Sequence, residues 1–136
     1  MANFILVHGS LHGGWCWHKL VPLLEAQGHR VLAPDLPGMG ADPTPLSEIT
    51  LRGWAEFIVR QSREAGEPVM LVGHSRGGTV ISEAAELAPQ SMLGLIYLAA
   101  LLLPAGGKAF EAAVAQEARR ASGSAAGASD EISLRV

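Results

Sequence analysis

The sequence predicts an α/β fold, an open parallel β-sheet with helices on its faces. Four short runs rich in Val, Ile and Leu lack apolar-polar alternation, which is typical of strands covered on both faces. Segments with helical periodicity separate them. The resulting order, strand then helix three times and a closing strand, indicates βαβ units. The 136 residues suffice for one core and are too few for two ordinary domains.

The predicted strands are the four apolar runs at 4–7, 31–33, 69–72 and 93–98. The longest apolar stretch, 92–103, is interrupted only by Gly94. It is about half of the ~20 residues needed to cross a bilayer. We therefore expect a buried strand that leads into a loop, and no membrane partner.

The first predicted helix has apolar residues spaced i, i+3, i+4, i+7 and ends at Gly28, a typical C-terminal cap. Its inward residues are Trp17, Leu20, Val21 and Leu24. The second starts at Thr50, a favoured N-cap, and ends before Gly66 and Pro68. Its predicted inward side carries Trp54, Phe57, Ile58 and Gln61.

The third predicted helix opens at Ser75 and runs to Ala88, before Pro89. Its inward stripe is predicted to be Val80, Ile81, Ala84, Ala85 and Ala88.

Two regions are expected along the chain. Residues 1–103 are predicted to form the N-terminal part of the α/β core, and 104–136 a separate, partly flexible region. After a Pro and Gly break at 104–107, residues 108–121 can form a helix, and 121–129 contain only Ala, Ser and Gly. The alternating residues 132–136 are typical of a half-exposed strand.

Charge and cysteine content narrow the classes of partner and compartment. Ten Lys plus Arg oppose 13 Asp plus Glu, the net charge is −3, and no basic run exists, so nucleic acid is not an expected partner. The single cysteine, Cys16, cannot form an internal disulfide. The N-terminus lacks the basic start and longer apolar stretch of a signal peptide. We expect a cytoplasmic protein.

The segment Gly73-His74-Ser75-Arg76-Gly77-Gly78 follows a predicted strand and opens a predicted helix. In that context G-x-S-x-G indicates a nucleophile elbow, a turn so sharp that small residues flank the serine and its hydroxyl stands above the sheet edge. Ser75 is therefore the candidate catalytic nucleophile. A purely structural turn is the alternative.

A glycine-bearing loop at 8–15 follows the first strand, where hydrolases of this architecture place a backbone N–H that binds an oxyanion. Acyl transfer needs two donors aimed at one oxygen. The sequence offers the backbone N–H groups of Ser10 and of Arg76, the residue after the candidate nucleophile.

Other polar residues near these motifs are interpreted as structural. His8 and His12 are four residues apart but lie in a predicted loop and not on a helix, and no acidic partner accompanies them or His18, so no metal is predicted. The glycines do not form G-x-G-x-x-G or a P-loop, so no nucleotide or other cofactor is predicted.

Three further side chains are predicted to order the protein. His74 is adjacent to Ser75 on a turn that points it away from the hydroxyl, so packing is favoured over a role as general base. Cys16 is interpreted as a small core residue. Asp35 is interpreted as a hydrogen-bond acceptor that orders a loop.

These residues resemble the α/β-hydrolase superfamily, and within it the plant-type hydroxynitrile lyase and methylesterase family with its bacterial esterase relatives. The resemblance extends from the first residues to about Pro104. It rests on segments 7–10, 12–17, 19–25, 28–29, 35–36, 42–43 and 72–78. It implies Ser75 as nucleophile, the amides of Ser10 and Arg76 as oxyanion hole, and an Asp and a His downstream.

The sequence departs from this family after the nucleophile. No histidine follows His74, and the acids beyond residue 117 are Asp130 and Glu131. The resemblance implies that 104–136 begin a cap, with the Asp and His expected further on. We therefore expect a truncated sequence, the nucleophile-bearing half of a hydrolase, whose last strand is an exposed apolar edge able to pair with another chain, as a homo-oligomer or with a complementing C-terminal fragment.

Three functions follow as hypotheses. The first is a serine esterase that hydrolyses a small carboxylic ester. The second is a hydroxynitrile lyase, which would use the Ser10 hydroxyl in the oxyanion loop. The third is an inactive truncated hydrolase that acts as a binding or assembly partner. Arg76 departs from the apolar residue that the family often has after its nucleophile, so its side chain either favours a polar or anionic group or faces the cap.

Overall fold

The computed structural model describes residues 1–104, 106 and 107. It contains a four-stranded parallel sheet in the order β2-β1-β3-β4, with helices between successive strands. The predicted α/β class is confirmed. The strands are β1 (Asn3–Val7), β2 (Arg30–Leu32), β3 (Val69–Ser75) and β4 (Met92–Ala100), and the helices are α1 (Leu20–Ala26), α2 (Leu51–Glu64) and α3 (Gly77–Leu87).

The register of the sheet brings the ends of β1 and β3 together. Ile5 pairs with Leu71 and Val7 with Gly73, so the two strands end side by side. Because carboxyl ends of parallel strands share one edge of a sheet, the loop after β1 and the turn after β3 meet there. Both predicted motifs lie at this edge.

Two apolar clusters cover the two faces of the sheet, which explains why the strands lack alternation. On one face, alternate β1 residues Ile5 and Val7 pack with Ile58 of α2 and Ile81 of α3. On the other face, Leu6 packs with Val72 and Trp17 and with the partly buried residues of α1.

The predicted helix boundaries needed correction at two places. Trp17 lies in a 3-10 turn, Gly14–Trp17, and α1 begins only at Leu20. The third helix begins at Gly77 because Ser75 has a φ of +52°, outside the right-handed helical region, and ends β3. The predicted Thr50 cap is confirmed, since the Thr50 hydroxyl accepts a hydrogen bond from Gly53 N at 2.9 Å.

The buried face of α2 is also broader than predicted. The helix packs against both the sheet and α3, and this buries three further residues, Ala55, Val59 and Ser62. Gln61, which was predicted to face inward, is only half-buried. Burial of Ser62 is compatible with its polarity, since its hydroxyl donates to Val59 O at 2.8 Å. The predicted α3 stripe is confirmed, with Ala85 half-buried.

The prediction of a buried final strand was wrong. No residue of β4 is fully buried, and Leu93 and Leu98 are 54% and 40% exposed. Within the described ranges no strand pairs with the outer edge of β4, and its other large apolar side chains are only partly buried against the two clusters. The expectation of an exposed apolar edge is met.

The expected helix at 108–121, linker at 121–129 and strand at 132–136 lie outside the described residues. Among the helices that are described, none is long and apolar enough to cross a membrane.

Replacing Ile58 with alanine tests the packing of α2. Ile58 is fully buried in the cluster that joins α2, α3 and the sheet. Ile58→Ala is expected to lower the free energy of unfolding by about 2–5 kcal/mol, because the cavity adds to the lost transfer energy. Urea denaturation measures this. The control Leu23→Ala, at a side chain 62% exposed, is expected to change stability by about 0.5 kcal/mol or less; equal losses in the two variants would contradict the packing.

Candidate active site

Ser75 stands at the end of β3 in a strained conformation. Its φ of +52° lies in the left-handed region, which costs a residue with a side chain about 1–3 kcal/mol. Leu101, just after β4, donates its backbone N–H to Ser75 O at 2.9 Å and helps to hold the turn. The strand, turn and helix predicted around the G-x-S-x-G motif are therefore present, and the half-buried Ser75 lies at the carboxyl edge of the sheet.

Three glycines make this turn possible because backbone approaches each of them closely. A Cβ on Gly73 would lie 2.7 Å from Gly77 O, and one on Gly77 would lie 2.5 Å from Val7 O of β1. A Cβ on Gly78 would collide with Leu101 O. The turn is thus packed against its own helix, β1 and the segment after β4, and each contact excludes a side chain.

The loop after β1 lies directly against the serine. A Cβ on Gly9 would be 3.0 Å from Ser75 Cβ and 3.2 Å from His74 Nδ1. Ser10 follows Gly9 and is exposed. In the described part of the chain, neither the Ser10 nor the Arg76 backbone N–H has a protein hydrogen-bond acceptor. Ser10 and Arg76 therefore lie at the same edge of the sheet as Ser75.

His8 is fully buried and uses both ring nitrogens. Nδ1 donates to Gly9 O at 2.9 Å, and Leu36 N donates to Nε2 at 3.1 Å, which defines a neutral ring. Desolvation is the main reason that the pKa of His8 lies below its ordinary value. His8 therefore fixes the loop after β1 to the segment after β2 and has no free nitrogen to accept a proton from Ser75.

Asp35 orders the same edge, as predicted. Its carboxylate accepts hydrogen bonds from Gly14 N at 2.7 Å and from Ala41 N at 2.9 Å. The N–H groups of Ala41 and then Gly14 lower the pKa of Asp35. A Cβ on Gly13 would be 2.6 Å from Asp35 Oδ1, so the glycines let the loop close around this carboxylate.

His74 packs, in agreement with its predicted role. Its ring stacks on His12, with centroids 6.1 Å apart and planes at 20°, and meets Trp17 edge-on with centroids 6.4 Å apart. Cys16 is half-buried against the cluster of Leu6 and Trp17, and burial raises the pKa of its thiol.

Arg76 makes contacts that the sequence did not reveal. The carbon at the centre of its guanidinium lies 4.3 Å from the centroid of the Trp54 ring, and Nη2 lies 3.9 Å from Met39 Sδ. Trp54 is itself held by a 2.8 Å hydrogen bond from Nε1 to Pro37 O. Burial lowers the pKa of Arg76, but a guanidinium remains charged in proteins. No spacing in the sequence links these residues, since they meet only through the tertiary fold.

The described residues hold no acid-base pair for Ser75. All five histidines lie within them, and the structure shows no hydrogen bond between the Ser75 hydroxyl and any of their rings. Within the same residues there is no group of three or more His, Cys, Asp or Glu that could hold a metal ion.

The left-handed Ser75 between a buried strand and a helix is the strand-turn-helix arrangement that the G-x-S-x-G motif predicts. The family model described as "Alpha/beta hydrolase family" matches residues 4–135. The chain belongs to the α/β-hydrolase family.

Particular members of the family resemble this chain over its N-terminal three quarters. Methylesterase 1 of Arabidopsis thaliana is 43% identical over 104 residues, and an alpha-hydroxynitrile lyase of the same plant is 41% identical over 103 residues. Each match covers 74% of this chain and 40% of the relative. The chain thus spans about two fifths of the length of these relatives.

Among solved structures, that of a polyneuridine aldehyde esterase matches with a TM-score of 0.77 and 34% sequence identity. The match covers 85% of this chain and 48% of the esterase. The fold and the family expected from the resemblance are confirmed.

The Asp35 carboxylate gives the site a pH dependence of known sign. Because its folded pKa is depressed, its contribution to stability is present above its unfolded pKa and is lost as pH falls through the folded pKa. From about pH 7 to about pH 3, the free energy of unfolding is expected to fall less in Asp35→Asn than in the original chain. Urea denaturation at each pH measures the difference.

Glu25→Gln, at an exposed position, is the control for this experiment. Its pH dependence is expected to follow that of the original chain. Identical pH dependence in Asp35→Asn and the original chain would show that the two hydrogen bonds at Asp35 do not stabilise the carboxylate.

Proposed function

We propose that the protein carrying this sequence is a serine esterase acting on small carboxylic esters, with Ser75 as its nucleophile. The observation that carries the proposal is the conformation of Ser75. It has a φ of +52° at the edge of the sheet, and the loop after β1 lies so close that a Cβ on Gly9 would be 3.0 Å from Ser75 Cβ. Strain of this kind persists where the surrounding backbone enforces it, and it clusters at active sites.

The backbone around Ser75 supports acyl transfer. In the proposed reaction Ser75 Oγ attacks the ester carbonyl carbon, and the carbonyl oxygen becomes an oxyanion bound by the N–H groups of Ser10 and Arg76. The positive end of α3 lies beside the same oxygen. The intermediate then expels the alcohol and leaves Ser75 acylated. Water attacks the acyl-enzyme and releases the carboxylic acid.

The proton of Ser75 requires a base, because a serine hydroxyl is a weak nucleophile. We propose that a histidine outside the printed 136 residues accepts it and then protonates the leaving alcohol. Two observations support this assignment. His8 has both nitrogens engaged, and the chain spans only about 40% of the length of its relatives.

A hydroxynitrile lyase is the second candidate function. It is favoured by the exposure of Ser10, whose hydroxyl stands in the loop beside Ser75. A relative that carries this name is 41% identical to the chain. We rank it below the esterase because it requires more specialised residues than the described site contains. Cyanide release from mandelonitrile, measured beside ester hydrolysis, separates the two functions.

Loss of the Ser75 hydroxyl tests the nucleophile. In the protein carrying this sequence, Ser75→Ala is expected to lower kcat/KM for p-nitrophenyl acetate by at least about a thousandfold and to abolish the burst of p-nitrophenol. Ser47→Ala, at an exposed position in the 3-10 turn Leu46–Glu48, is expected to retain the original rate. Stopped-flow absorbance measures both quantities.

The 136-residue chain alone gives a second comparison. Without a histidine base it is expected to show negligible turnover, and addition of a polypeptide that supplies the base is expected to restore it. Equal turnover in Ser75→Ala and the original protein would contradict the nucleophile. Turnover by the 136-residue chain at ordinary enzyme rates would contradict the external base. Folded protein with ester binding but no turnover in any form would favour the third function, a non-catalytic binding partner.

A further inference from the structure

We propose that the Arg76 guanidinium binds a carboxylate of the substrate, so that the site prefers anionic esters such as monoesters of dicarboxylic acids. The proposal rests on the proposed esterase function. It concerns the side chain of Arg76, whereas catalysis uses only its backbone N–H.

Arg76 carries a half-buried charge that makes no ion pair with the carboxylates of residues 1–104. The ion pairs in the described ranges join Arg52 to Glu56 at 3.0 Å and to Glu83 at 3.6 Å, and neither involves Arg76. A buried charge is normally paired, because desolvation without a partner is costly. The described partners of this guanidinium are the Trp54 ring and Met39 Sδ, which leaves most of its five N–H donors without a strong acceptor.

The position of this charge makes a substrate group its natural partner. Arg76 immediately follows Ser75, and its guanidinium lies between α2 and the loop after β2, at the carboxyl edge of the sheet. The positive charge of Arg76 also contributes to lowering the pKa of His8, which follows β1. A carboxylate a few bonds from the scissile carbonyl can therefore reach the guanidinium while the carbonyl stands at Ser75.

The contacts of Arg76 also prepare it for a planar anion. The guanidinium carbon lies over the Trp54 ring at 4.3 Å, a contact that uses none of the N–H donors, and a carboxylate can bind such donors with two parallel hydrogen bonds. Trp54 is 6% exposed and is anchored to Pro37 O, so the platform is rigid. A lysine at this position would keep the charge, but its ammonium group lacks the paired N–H donors of a guanidinium and its planar contact with an aromatic ring.

A structural role for Arg76 makes a different prediction. If the side chain only joins Met39 to Trp54, its loss disturbs the site equally for every ester. A role in recognition changes the ratio of rates between an anionic ester and its neutral isostere. The ratio is therefore the readout.

The experiment compares monomethyl adipate with its neutral isostere, methyl adipamate, by measuring methanol release from the protein carrying this sequence. The original protein is expected to prefer the anionic ester. Arg76→Gln is expected to lower kcat/KM for monomethyl adipate by about ten- to a hundredfold, the usual worth of a charge-assisted hydrogen bond. Any loss on methyl adipamate is expected to be at least about tenfold smaller, so that the ratio of the two rates falls. The kcat/KM of Arg76→Lys for monomethyl adipate is expected to lie between that of the original protein and that of Arg76→Gln.

Arg52→Gln is the matched control, because Arg52 is an exposed arginine whose partners are Glu56 and Glu83. It is expected to leave the ratio unchanged. No preference in the original protein, or an equal loss on both esters in Arg76→Gln, would overturn the proposal.

A binding measurement separates this proposal from the esterase proposal. Monomethyl adipate is titrated into ¹⁵N-labelled Ser75→Ala protein while NMR follows the Arg76 Nε–H and Trp54 indole N–H signals. Saturable shifts of both signals that are absent with methyl adipamate would support the anion site even if the original protein hydrolysed neither ester. Absence of such shifts would overturn the anion site, whatever the esterase activity.

Discussion

The site depends on close contact between backbone segments around Ser75. Gly77 lies so near Val7 O that a methyl group has no room, and Gly73 is equally close to the first turn of α3. These contacts force the chain from strand to helix within one residue, and Ser75 takes up the strain as a positive φ. The core on both faces of the sheet supplies the rigidity that holds this strained turn.

The loops at the same edge are fixed by polar groups rather than by apolar packing. His8 links Gly9 O to Leu36 N, and Asp35 links Gly14 N to Ala41 N. Each side chain joins the loop after β1 to the segment after β2. Together they position the loop after β1, whose large apolar side chains Leu11 and Trp15 are exposed and do not anchor it to the core.

The parallel order of the sheet, the Thr50 cap and the elbow motif were predictable because they depend on local chemistry: apolar runs, a hydroxyl at a helix start and small residues around Ser75. The exposure of β4 was predictable only from the resemblance to a longer family, since an apolar run by itself does not reveal whether a neighbouring strand covers it. The stacking of Arg76 on Trp54 was not predictable, since it joins residues 22 positions apart through the fold. That contact turns an unexplained departure from the family pattern into a candidate specificity residue.

The proposed mechanism requires Ser75 Oγ to reach the carbonyl carbon of an ester while the amides of Ser10 and Arg76 bind the carbonyl oxygen. A crystal structure with a bound arylboronic acid tests it most directly, because boron accepts a serine oxygen and forms a tetrahedral adduct similar to the acyl-transfer intermediate. We expect a bond from Ser75 Oγ to boron and a boronate oxygen within hydrogen-bond distance of both N–H groups. An adduct on another residue, or a Ser75 adduct whose oxygens contact neither amide, would contradict it.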